Sequence, residues 1–226
     1  MSIDLRSCGK GDKLMAKIWL RLILCFLVAQ VFPGDMRASI HVEPYFGKIL
    51  NFSKASQTES SVKYERDLDG LLYGARLGYG LLGFSAGVDF AASQFDAEVK
   101  KPIAQVSSWK LSGQSVLSSV ESSYFGLFIN YDLPLLLRVW ATYFPSVRYK
   151  FGSGDPLQSD KDLWKGTGFS LGLGYTGLPF FSLNYELRSF SFDEEFESSS
   201  NSTKELPIEY DSVEHLVGIS IPMNLF

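Results

Sequence analysis

The chain has 226 residues, of which 20% are charged and 15% aromatic, and its formal net charge is −4. That length favours one domain. The charge balance, with no basic cluster, argues against nucleic-acid binding, and the body contains no apolar run long enough to cross a membrane as a helix.

The first segment reads as an export signal. Lys13, Lys17 and Arg21 precede an apolar core from Leu22 to Phe32, and small residues follow at Ala38 and Ser39. We expect a signal peptide over 1–38 and one domain over 39–226. Met15 opens a more typical signal and is an alternative start. Leu24 stands where a lipoprotein signal needs a small residue before Cys25. Cys8 and Cys25 both fall in this segment, so the 39–226 domain contains no disulfide and no Cys-based metal site.

Period-2 alternation then marks strands with two unlike faces. The first run is Ile40 to Lys48, with Ile40, Val42 and Phe46 on one face and Glu43 on the other. The second, Leu71 to Tyr79, sets Leu71, Tyr73, Ala75, Leu77 and Tyr79 against Leu72, Gly74, Arg76 and Gly78. The third sets Phe84, Ala86, Val88 and Phe90 against Ser85, Gly87 and Asp89. A turn over Gly80-Leu81-Leu82-Gly83 would pair Tyr79 with Phe84 and Leu77 with Ala86, leaving Arg76 and Asp89 diagonal on the other face.

The pattern repeats. Phe125 to Tyr131 and Leu135 to Tyr143 flank Asp132-Leu133-Pro134. Phe169 to Tyr175 and Phe181 to Leu187 flank Gly177-Leu178-Pro179. Val217 to Met223 is the last run. That gives eight strands, with short turns on one rim and four long polar connections on the other (51–70, 93–123, 152–165 and 193–214). The second connection could hide another hairpin near Gly113, which would make ten strands.

A soluble barrel keeps its apolar face inside, whereas a membrane barrel inverts it. Here the apolar face is free of charge through the middle strands. The other face carries Glu43, Arg76, Asp89, Arg138, Glu186 and Arg188, whose signs balance. We therefore expect an all-β, closed antiparallel up-and-down transmembrane barrel with these six residues as an interior charge network. Tyr79, Phe84, Tyr131, Tyr175 and Phe181 near the short turns, and Tyr73, Phe90, Phe125, Tyr143 and Phe169 toward the loops, read as interfacial girdles.

The export signal, the alternating strands and the terminal Phe226 resemble the small outer-membrane barrels of the OmpA and OmpX type. The resemblance implies an assembly signal in the last strand, on Gly218, Ile221, Met223 and Phe226, although Pro222 and Asn224 stand where that signal has apolar residues. It also implies a bacterial outer-membrane location with termini periplasmic and long loops extracellular. The implied partners are outer-membrane lipid, lipopolysaccharide and the barrel-assembly machinery.

Chemistry is sparse. The two histidines, His41 and His215, form no His-x-Ser pair of the lipid A deacylase kind, and both read as interfacial residues. The acidic stretch from Asp193 to Glu214 reads as a solvated loop without a Ca²⁺-binding pattern. The Ser-rich second loop, with Trp109 in it, reads as a mobile strand extension. No cofactor, metal or catalytic residue is expected. The expected role is structural: a plugged barrel displaying loops for adhesion, recognition or envelope integrity. A narrow porin-like channel and a lipid-modifying enzyme are the alternatives.

Overall fold

The computed structural model describes residues 38–59, 62–101, 116–133, 135–152, 162–197 and 202–225. Residues 1–37 of the expected signal, Trp109, Gly113 and Phe226 lie outside these. Eight long strands run in sequence: β1 (Ser39–Glu59), β2 (Val62–Leu81), β3 (Phe84–Lys101), β4 (Val116–Leu133), β5 (Leu137–Phe151), β6 (Leu163–Tyr175), β7 (Ser182–Glu197) and β8 (Ser202–Ser220). Each pairs antiparallel with the next, and β8 pairs back onto β1, so the sheet closes as an up-and-down barrel. A short β9 (Met223–Leu225) continues beside Ile40–Val42. Pro222, which has no N–H to donate, separates it from β8.

Following cross-strand partners from Arg76 through Asp89 and Gly126, across the β4–β5 bulge to Phe144, then Gly168, Phe190, Ser212 and Ala55, returns to β2 at Arg66. The path has climbed ten residues (76 − 66) in one circuit. That stagger is the shear that tilts the strands of a small barrel.

The first hairpin corrects the expected register. Its turn is the two residues Leu82-Gly83, with φ of 55° and 80°, so Leu81 pairs Phe84, Tyr79 pairs Ala86 and Leu77 pairs Val88. Positive φ at both central positions gives a turn whose twist matches the strands, and a two-residue loop closes tighter than four. The shift is two residues, so every side chain keeps its face. It also puts Arg76 directly opposite Asp89 rather than diagonal to it. Likewise β4 continues through Asp132 to Leu133, where a turn was expected.

Three of the four long connections (51–70, 93–123 and 193–214) are corrected more strongly. Strands β1 and β2 have 21 and 20 residues, β3 and β4 have 18 each, and β8 has 19, against the roughly 9–11 that a tilted strand needs to cross a bilayer. Most of what read as loop is strand, extending the barrel away from the short-turn rim.

Along this length the polarity of the two faces inverts. In the half nearer the short turns, Leu77, Leu127, Ile129, Leu171, Leu173 and Ile219 point outward and are exposed, while Glu43, Arg76, Asp89, Glu186 and Arg188 point inward and are buried. In the far half Asp69, Gln94, Asp96, Glu121, Arg148 and Lys150 point outward, while Leu68, Phe95, Tyr149, Trp164, Phe190 and Phe192 fill the interior. One closed sheet thus has a lipid-facing lower half and a water-facing upper half with an aromatic core. The girdle residues Tyr73, Phe90, Tyr143 and Phe169 lie on the outer face where the two meet.

Candidate functional site

The most organised polar chemistry lies inside the lower half. Period 2 sends alternate residues inward, and eight strands leave an interior about one side chain wide on each wall. Small residues make the room. At Gly172 an added Cβ would lie 1.9 Å from Trp140 Cε2, so the indole occupies the space that a side chain would need.

Arg76 on β2 is the hub. Its Nε donates to Asp89 Oδ2 at 3.2 Å, its Nη2 donates to Glu186 Oε2 at 2.8 Å, and its Nη1 lies 3.8 Å from Glu43 Oε2. The guanidinium is sandwiched between aromatic faces, 4.7 Å from the Tyr45 centroid and 4.6 Å from that of Trp140, an arrangement that adds cation–π attraction in a desolvated site. Arg188 Nε donates to Glu186 Oε1 at 2.9 Å, so one carboxylate bridges two arginines. Tyr45 ties the layer together, donating to Asp89 Oδ1 at 2.7 Å and accepting from Arg188 Nη2 at 3.4 Å.

Glu43 anchors a second group nearer the short turns. It accepts from Ser220 Oγ at 2.6 Å, lies 3.2 Å from His41 Nε2 and pairs with Arg138 Nη1 at 3.2 Å. Arg138 also pairs with Asp132 at the rim. The structure therefore brings Glu43, Arg76, Asp89, Glu186 and Arg188 into one connected cluster, with Arg138 reached through Glu43. Buried charges persist only when paired and hydrogen-bonded, and here each carboxylate has at least two polar partners.

Sequence reading placed several participants elsewhere. Glu214, read as part of a solvated acidic loop, is fully buried. It accepts from Tyr124 Oη at 3.0 Å and from Tyr149 Oη, and Tyr124 in turn accepts from Ser122. Arg188 lies 5.3 Å from the Tyr124 ring and 5.4 Å from that of Phe144, joining this layer to the one below. Asp193 to Glu197 belong to β7 rather than to a loop. His41, read as interfacial, is an interior residue held by Glu43 and Asn224. A parity count would have found all of these. Glu214 lies an even number of residues from Ser220, and His41 and Tyr45 share the parity of Glu43. His215 does face outward, bonded through Nδ1 to Tyr185 Oη at 2.7 Å and packed at a tilt against Phe52 with ring centroids 4.7 Å apart.

Above these charge layers the interior is mainly aromatic, with buried Arg66 lying 5.7 Å from the Phe151 ring and 5.4 Å from that of Trp164, and Asp162 buried at the same level. Rings are packed at 5.2 Å (Phe95–Tyr149), 4.6 Å (Tyr149–Phe192), 4.4 Å (Phe151–Trp164) and 4.2 Å (Trp164–Tyr210). Gly218 on β8 lies between Gly47 and Asn184, while Ile221, just after β8, and Met223 on β9 point outward. The described residues include no group of His, Cys, Asp or Glu arranged to hold a metal ion.

No protein-family model and no curated protein matches the chain. Among solved structures it is similar to Neisserial surface protein A, at 16% identity over 82% of this chain and 98% of that one, with a TM-score of 0.46. It is also similar to the outer membrane protein OprG from Pseudomonas aeruginosa (11% identity, 84% and 98% covered, TM-score 0.43). A third is Ail, the attachment invasion locus protein of Yersinia pestis, solved with a heparin analogue (12%, 82% and 97%, 0.44). The closed eight-strand antiparallel sheet, with an apolar exterior around a charged interior in its short-turn half, is the layout of a transmembrane β-barrel.

Proposed function

We propose that this protein is a closed outer-membrane scaffold that carries polypeptide beyond the lipid for adhesion, recognition or envelope integrity, and that it is neither a pore nor an enzyme. The observation that carries the reading is the double closure of its interior. A cross-braced charge layer around Arg76 lies beneath a packed aromatic core running from Phe95 to Trp164. A solute would have to break both. The strand extensions, polar outside and mainly aromatic inside, are built to stand in water, which supports placing the long connections outside the cell and the termini in the periplasm. In that orientation the outward charges of the extensions meet lipopolysaccharide. Ile221 and Met223, exposed at the C-terminal end of the barrel wall, would serve the assembly machinery.

Planar-bilayer recording of the purified protein tests the closure. No conductance steps are expected. Steady single-channel currents would make the narrow-channel reading the better one, and a change in lipid A mass on expression would support a lipid-modifying enzyme. Before either measurement, a heat-modifiable band in outer-membrane fractions establishes the location.

A further inference from the structure

Four residues other than glycine adopt positive φ among the described residues, and all four lie in the short turns: Leu82 (55°), Leu135 (78°), Leu136 (60°) and Phe180 (72°). This is left-handed backbone that costs a bulky side chain steric strain and is normally given to Gly, Asn or Asp. The same turns leave Leu135 86% and Phe180 89% exposed, more than any other large apolar side chain described. The backbone strain is the same in any medium and holds these side chains at the tips, where unburied hydrocarbon is unfavourable in water.

Their surroundings are apolar as well. The described turn segments 82–83, 135–136 and 176–181 contain no charged residue. They continue directly from the outward wall formed by Leu81, Phe84, Tyr175 and Leu183. The charge nearest the tips is Asp132, part-exposed but paired with the buried Arg138, and the outward residues beside them are apolar or Tyr, whereas at the opposite end the wall gives way to outward Asp69, Gln94 and Glu121.

We propose that the short-turn rim is itself a lipid-binding surface. The tips of the turns at Leu82, Leu135–Leu136 and Phe180 sit in the acyl-chain edge of the leaflet at that end, so the barrel stops inside the membrane there and protrudes only at the other end. The proposal rests on the membrane reading above and extends it, because a barrel could equally well hold its turns in water. It follows that this rim presents no docking surface to an aqueous partner.

Nitroxide accessibility in phosphatidylcholine bilayers tests this. Labels are placed one at a time through Phe180→Cys and Leu135→Cys, in a chain carrying Cys8→Ser and Cys25→Ser. Ile129→Cys on the mid-wall and Gln94→Cys on the extension are the references. The ratio of oxygen to nickel-chelate collisions at Phe180 and Leu135 is expected to stand well above that at Gln94 and below the mid-wall value at Ile129. A ratio matching Gln94 would put the turns in water and overturn the proposal while leaving the membrane barrel intact. An aqueous ratio at Ile129 itself would sink both readings.

Discussion

The lower and upper halves of this barrel are built from the same strands with the same alternation, yet their insides and outsides are exchanged. On β7 the exchange takes two residues: Arg188 is the last interior charge and Phe190 the first interior ring of the core. On β2 the outward face passes from Asp69 to Leu71 in the same interval. Each half keeps toward its solvent what that solvent tolerates. Lipid accepts only apolar side chains, so polar groups there must find partners inside. Water accepts charges, so the hydrophobic effect is free to fill the interior. Alternation is a property of the strand; which parity is apolar is a property of the medium.

This comparison can be broken most forcefully from inside. Arg76→Met removes the hub and leaves Asp89 and Glu186 facing a neutral side chain, which we expect to cost about 3–5 kcal/mol. Phe190→Ala in the upper core should cost a similar ~3–5 kcal/mol, by lost burial and a cavity rather than by stranded charge. Urea unfolding of folded protein in lipid vesicles measures both. Adding Glu186→Gln and Asp89→Asn should restore much of the Arg76→Met loss and none of the Phe190→Ala loss. If the carboxyl changes rescued neither variant, the charge layer would not be what stabilises the lower half.

The outer faces separate next. Ile129→Arg, on the lipid wall, should cost about 2–4 kcal/mol. Gln94→Arg, on the same outward parity but above the wall, should lie within about 0.5 kcal/mol of the parent. Equal costs at the two positions would erase the boundary between the halves. The smallest effect belongs to the exposed pair Lys150–Glu121, 3.3 Å apart with both side chains more than half exposed. Lys150→Ala should change stability by less than ~1 kcal/mol, with the difference fading at high salt.

Fold class was legible because period 2, tight turns and an uncharged face are all local patterns. The parity of Glu43, Arg76, Asp89, Arg138, Glu186 and Arg188 was legible for the same reason. The strand ends were not. Beyond Leu71 toward the N-terminus, and beyond Ala92 toward the C-terminus, the outward residues become Asp69 and Gln94, and that change reads as the end of a strand. It is instead the end of the lipid, with the strands continuing into water to Val62 and Lys101. The same misreading hid Glu214, which continues the inward parity of Ser220 through a stretch whose outward neighbours, such as Asp211, are polar.

The sequence by itself determined the alternation, the barrel and the inward parity of the buried charges in the lower half, because each follows from which side chains share a face of one strand. Tertiary structure alone decided the ten-residue stagger that sets Ala55 beside Arg66 and closes β8 onto β1. It also decided which arginine meets which carboxylate, since Arg76 and Glu186 lie 110 residues apart and meet across the barrel interior rather than along a hairpin. Local patterns fix where a side chain points, but only closure fixes what it points at.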